Sequence, residues 1–175
     1  MTRVLVIAAW AYNPSEFWAT LKAIRKEGWE FEVISTKPVI EEERTRNERF
    51  KVRTLNEFSL DEIKSYAGLT FVGGNPRTVE KYFYDPKTRL IVEAFNQLRR
   101  PIAAVCATVP SIRHIAKGKR ITAFPSSKTL SLLKRTGAII SDNSLEVDGN
   151  IITAQHEGVI ERMMEELIKQ VKLNE

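Results

Sequence analysis

The chain has a single cysteine, Cys106, and it stands where two patterns meet. The stretch IAAVCATVPSI (102–112) runs from four small or apolar residues, through the thiol, into a segment able to start a helix. A nucleophile on such a strand-to-helix turn projects from the sheet edge. The partial positive charge of a helix start favours a thiolate there. The Ala107 amide points towards the same space, and Ala104, Ala107 and Thr108 keep the turn uncrowded. The other reading of the same residues is a small thiol packed in the core. The local pattern leaves both open.

Two further positions bear on that choice. Gly73-Gly74 ends a different apolar run, and glycine lets a backbone amide approach a ligand closely. An amide from Gly74 opposite that of Ala107 makes a donor pair for a developing oxyanion. Alternatively, the two glycines form an ordinary turn before Asn75-Pro76. Glu16 falls in the first turn of the first helix, where a carboxylate is favoured electrostatically even on a bland surface. Its neighbours Phe17 and Trp18 point to partial burial. An acid held against Cys106 can hydrogen-bond the sulfur or move a proton. Trp10, Tyr12, Phe17 and Trp18 surround the same mouth, either lining a pocket for a small carbonyl compound or packing an interface. Of the two histidines, His114 lies two turns into the segment after Cys106, too far along to reach back, and reads as structural or exposed. No glycine-rich nucleotide fingerprint or metal-ligand cluster stands out, so neither a cofactor nor a metal is expected.

The elements that must position these residues alternate strand and helix. RVLVIAA (3–9) is a short apolar run suited to a strand covered on both faces. PSEFWATLKAIRKEG (14–28) repeats apolar residues at helical spacing, with Pro14 in the first turn and Gly28 at the stop. WEFEVIST (29–36) alternates as a strand, and the charged segment 38–55 reads as a loop or hairpin projecting from the main sheet. SLDEIKSY (59–66) carries a capping-box spacing, Ser59 to Glu62. LTFVGG (69–74) is a strand, and helices are predicted over 76–84 and 86–99. IAAVC (102–106) is a strand, with helix from about 108 to 117. RITAF (120–124) is a strand, 126–137 a helix, and GAIIS (137–141) is extended. A hairpin turns around Asp148-Gly149, and an amphipathic helix covers 159–173. Strands joined by helices imply parallel pairing with right-handed crossovers, hence a doubly wound α/β sandwich spanning residues 1–175 as one domain. In such sheets sites form beyond the carboxyl ends of the strands, where Cys106, Gly74 and the turn after the first strand all fall.

Composition narrows the function classes. The chain has 175 residues, 43% of them hydrophobic and 28% charged. One cysteine forms neither an internal disulfide nor a multi-thiolate zinc site. No apolar run approaches the roughly 20 residues that span a bilayer, and the apolar start reads as a buried strand rather than a signal peptide. A cytoplasmic location, with no membrane partner, is the expectation. The 27 basic and 22 acidic residues leave a net charge of +5, too even a mixture to argue for nucleic acid. The basic clusters 117–120 and 133–137 read as solvated helix ends.

Five stretches carry a resemblance. They are RVLVIAAWAYNPSEFWATLKAIRKEGWEFEVIS, LTFVGGNP, PIAAVCATVPSI, ITAFP and LEVDGNIITA. In order and spacing the chain resembles the DJ-1/PfpI superfamily, which is related to class I glutamine amidotransferases. The resemblance places Glu16 on the family's acidic position, Gly74 on the oxyanion-side glycine and Cys106 on the nucleophile elbow. It implies a flavodoxin-like three-layer α/β/α sandwich with a mostly parallel central sheet, assembled as a dimer or larger homo-oligomer. A small-molecule substrate is expected because no separate substrate-binding domain is evident in the sequence. The family includes glyoxalase and deglycase-type enzymes, proteases, chaperones, isonitrile hydratases and oxidative-stress sensors. The chain departs from it at three places. Many members have glycine two residues after the cysteine, where Thr108 stands. The protease-like branch has histidine where Ala107 stands, and another branch has histidine where Phe124 precedes Pro125. By analogy with the amidotransferases, His156 with Glu157 is a candidate replacement base; its other reading is a loop histidine. Three functions follow from the resemblance. The first is turnover of reactive carbonyls or glycated adducts through a Cys106 thiolate with Glu16. The second is redox sensing or chaperoning through Cys106 oxidation. The third is a protease or amidase using Cys106 and His156.

Overall fold

The structure is a computed structural model describing residues 1–175. The opening apolar run forms β1 (Arg3–Ala8), followed by the two-residue β2 (Ala11–Tyr12) and α1 (Pro14–Lys26). Asn13 caps α1, accepting a hydrogen bond from the Glu16 amide at 3.0 Å, and Pro14 fills a first-turn position whose amide has no helical partner. Next come β3 (Glu30–Ser35), β4 (Val39–Glu42), β5 (Arg49–Lys51) and β6 (Arg53–Thr54). A 3-10 turn, Leu60–Ser65, has the reciprocal Ser59/Glu62 cap that its spacing predicts. It leads into β7 (Gly68–Val72), α2 (Pro76–Phe83), α3 (Pro86–Gln97) and β8 (Ile102–Val105). A 3-10 segment, Cys106–Ile115, follows, then β9 (Arg120–Ile121), α4 (Ser127–Arg135) and β10 (Ile139–Ile140). The chain closes with β11 (Leu145–Asp148), β12 (Ile151–Ala154) and α5 (Ile160–Asn174).

Seven strands make the main sheet, in the order β11-β12-β8-β7-β1-β3-β6, with every pair parallel except β11–β12. Alternation along β1 explains the layering. Leu5 and Ile7 enter one buried cluster with residues of α2, α3 and the 3-10 segment; Val4, Val6 and Ala8 enter another with α1 and α5. The fold is the flavodoxin-like three-layer α/β/α sandwich, and its central strands all end at the edge where Cys106 sits. No helix is long and apolar enough to cross a membrane.

Three elements differ from the sequence reading. The helix expected over 108–117 is a 3-10 segment starting at Cys106, with Pro110 inside it. A proline there lacks the donor and clashes with the preceding turn of an α-helix, so the tighter winding results. The strand expected over 120–124 keeps only two residues and pairs with β10 outside the main sheet. Beyond it, the Thr122 amide donates to Thr153 Oγ1 at 2.9 Å rather than to a neighbouring backbone. The 38–55 segment does contain a hairpin, but it packs back instead of projecting. β4 and β5 form a three-stranded sheet with β2, and Ile40 is fully buried.

Candidate active site

Cys106 follows directly on β8 and has φ +54°, the left-handed region that non-glycine residues rarely occupy. Such a conformation is held only where the surroundings over-determine it. Thr108 supplies one restraint: its buried hydroxyl accepts a hydrogen bond from the Val105 amide at 2.8 Å, closing the turn around the cysteine. A glycine at 108 has no such hydroxyl.

The carboxyl of Glu16 lies on the same side. It reaches in from the first turn of α1 and is only 7% exposed. It fills the space above Gly73, where a Cβ would lie 2.9 Å from Oε2, 3.3 Å from Oε1 and 3.3 Å from Thr108 Cγ2. Glycine at 73 is therefore what lets the acid reach the elbow. The next residue, Gly74, is pressed against β2: a Cβ there would lie 2.0 Å from the Ala11 carbonyl oxygen. The isolated bridge between Tyr12 and Gly74 is flanked by Asn13 N–H donating to Gly73 O and Asn75 N–H donating to Ala11 O, both at 2.9 Å.

The electrostatics are those of a buried carboxyl beside a half-buried thiol. Burial pushes the Glu16 carboxyl up to about 8; Glu157 and Glu43 add like-charge repulsion, and the Gly73 amide pulls in the opposite direction. Burial pushes the Cys106 thiol up to about 11, opposed by the Ala107 amide and reinforced by Glu16 and Glu157. The expectation of a thiol acidified by a helix start is thus reversed. The segment is 3-10 and proline-interrupted, and loss of solvent around the sulfur outweighs the single amide facing it. Glu16 Oε1 is buried with no hydrogen-bond partner. Beneath the pair, the buried Tyr82 hydroxyl donates to Val72 O at 3.2 Å and also feels Glu16 and Cys106.

His156 is exposed, and its Nδ1 accepts a hydrogen bond from the Gly158 amide at 3.2 Å, so the ring caps its own loop. His114 is exposed on the far part of the 3-10 segment. Of the aromatic residues, Tyr12 and Phe17 are buried, whereas Trp18 is exposed and, with Phe17 and Phe50, lines a groove away from Cys106. Tyr12 and Phe17 stack at 4.3 Å between centroids, and Phe50 of β5 lies 5.8 Å from both Phe17 and Trp18. Trp10 stands apart, under Lys37 Nζ at 3.7 Å from its ring centroid. A groove of about 520 Å³ runs between α1, β3 and the hairpin and does not touch Cys106. A smaller one of about 200 Å³ opens beside Ala107, between Val79, Phe83, Pro110 and Phe124. No group of three or more His, Cys, Asp or Glu side chains is arranged to hold a metal ion.

Sequence reasoning missed Glu43. It follows β4 and is brought to the N-terminus of α1 by the hairpin, where Asn13 Nδ2 donates to its Oε1 at 3.3 Å. Only the β2–β4 pairing puts it there, and no local pattern announces that pairing.

Comparison with known proteins places this architecture. The family model described as DJ-1/PfpI family matches residues 2–170. The chain belongs to the DJ-1/PfpI family. An uncharacterised protein of Archaeoglobus fulgidus is 30% identical over 173 residues, covering 97% of this chain and 98% of its own. Two solved DJ-1/PfpI structures share the fold. A ThiJ/PfpI domain protein from Brachyspira murdochii has a TM-score of 0.81 at 17% identity, over 98% of this chain and 96% of its own. DJ-1 of Schizosaccharomyces pombe has a TM-score of 0.80 at 19% identity, over 98% and 92%. Within the DJ-1/PfpI frame, Ala107 and Phe124 stand where branches of the family carry histidine. The Phe124 amide donates to Cys106 O at 3.5 Å, so its backbone still abuts the elbow.

Proposed function

We propose that this DJ-1/PfpI protein acts on small reactive carbonyls or glycated adducts through Cys106, with Glu16 as the proton-handling group. One observation carries the reading: a carboxyl with an unpartnered oxygen, buried against the elbow that bears the only thiol. The thiol proton leaves as sulfur attacks the carbonyl carbon. The new S–C bond displaces the carbonyl π pair onto oxygen, and that oxygen is protonated, giving a hemithioacetal. Glu16 relays the proton between sulfur and oxygen. The amides of Gly74 and Ala107 serve as the donors for the developing oxyanion. The looped-back ring of His156 supports Glu16 over an imidazole as the proton carrier. The chain's substrate is a small molecule, and its assembly is homo-oligomeric in this reading.

The test uses the single thiol. Stoichiometric alkylation with iodoacetamide, verified as one adduct on Cys106 by peptide mass, is expected to reduce methylglyoxal consumption to the uncatalysed background. Full consumption by the alkylated protein removes the mechanism.

A second reading, redox sensing, is favoured by a different feature of the same pair. A carboxyl pushed up to about 8 is protonated at neutral pH and donates a hydrogen bond to an oxidised sulfur. Mild peroxide is then expected to add two oxygens selectively to Cys106, seen by intact mass; absence of that product counts against sensing.

A further inference from the structure

The charge around the elbow carries the substrate reading one step further. Glu43 reaches the site from the hairpin, anchored by Asn13 Nδ2 at 3.3 Å and by its own amide donating to Tyr12 O at 3.0 Å. Glu157 follows three residues beyond β12, whose last residue Ala154 pairs with Val105 just before the cysteine, and its charge acts on both Glu16 and Cys106. Neither glutamate enters an ion pair. Of the hairpin cations, Arg46 and Arg49 face Glu41, while Arg44, next to Glu43, and Lys51 enter no ion pair. Glu16, which feels both carboxylates, is more than nine-tenths buried, with Oε1 unpartnered.

We propose that Glu43 and Glu157 make this a site for cationic substrates: carbonyl compounds bearing an ammonium or guanidinium group, in preference to anionic ones such as oxo-carboxylates. The inference rests on the Cys106 reading above and adds the sign of charge that the mouth selects. Glu16 Oε1 takes the polar atom next to the reacting carbon, while the two outer carboxylates face the positive charge. The same arrangement couples binding to reactivity. Like charge and burial keep protons on both Glu16 and Cys106. A bound cation offsets that repulsion and favours the ionised forms needed for attack.

The sulfur itself reports the local potential, because the chain has no second cysteine. Three methanethiosulfonates serve as probes: aminoethyl (cationic), methyl (neutral) and sulfonatoethyl (anionic). Each forms a mixed disulfide with Cys106 and releases methanesulfinate. Rates are divided by those for a small free thiol under the same conditions. The cationic reagent is expected to outpace the anionic one by roughly tenfold or more at low salt, with the ratio shrinking as ionic strength rises. The Glu43→Gln/Glu157→Gln double variant, which keeps a side-chain oxygen at 43 to accept from Asn13 Nδ2, should bring the ratio to within about twofold of the free thiol. A wild-type ratio at the free-thiol value, with Cys106 still reactive, overturns the charge selection and leaves the carbonyl reading standing. A cationic preference that survives in the double variant overturns the assignment to these two residues. A sulfur inert to all three reagents overturns the Cys106 reading itself, and this inference with it.

Discussion

Glu16→Gln is expected to raise the thermal midpoint at pH 7 by roughly 6–12 °C while carbonyl turnover falls to background. The folded-state value of about 8 lies well above the ordinary carboxylate value of 4.5. An acid shifted upward favours folding only while it is protonated in both states. That contribution is complete below about pH 4.5 and is lost progressively as pH climbs to about 8, because the unfolded chain ionises first. At pH 7 the wild type therefore carries a penalty of about 3 kcal/mol, at about 1.36 kcal/mol per pH unit. Glutamine has the same shape, never ionises and keeps an oxygen for the Gly73 amide. In a protein of this size each kcal/mol is worth about 2–4 °C. The midpoint difference should close towards pH 4 and widen towards pH 8. A difference that stays constant across that range refutes the raised carboxyl. Stabilisation with loss of activity is the signature of a residue kept for chemistry rather than for the fold.

Gly74→Ala should cost the fold more than 3 kcal/mol, read as a large fall in the urea midpoint at unchanged slope. The added methyl would lie 2.0 Å from Ala11 O and 2.8 Å from Tyr12 Cα, both backbone atoms that cannot swing aside. Relief requires breaking the bridge that ties β2 to the end of β7, with its two 2.9 Å hydrogen bonds. The same bridge holds Asn13, which caps the helix carrying Glu16, so turnover should collapse with stability. A Gly74→Ala protein with the wild-type urea midpoint would show that β2 does not pack so closely on this glycine.

The residues of β1, β8 and α1 announced their places because each is governed by its own neighbours. A short apolar run makes a buried strand wherever it lies in the sheet, and Pro14 suits a helix start without help from the rest of the chain. The capping box at Ser59 and the hairpin around Gly149 are equally local. The elbow at Cys106 was legible as a junction for the same reason, and the order of blocks was enough to point to the family. What depends on distant chain was not legible. The strand expected over 120–124 is an example: it keeps only Arg120–Ile121 and pairs with distant β10 rather than joining the main sheet.

The acidity of the thiol could not be read either, because burial depends on which elements close over the sulfur; desolvation reversed the expectation drawn from the turn alone. Glu43 was hidden for a related reason. Its position follows from the pairing of Ala11 and Tyr12 with Glu41 and Glu42, thirty residues further along, and the residues themselves carry no sign of that register. The sequence by itself thus determined where the strands end and which side chains stand there. Only the tertiary structure decided how dry the site is and which charges surround it, since solvent exclusion and long-range fields arise from segments brought together across the whole chain.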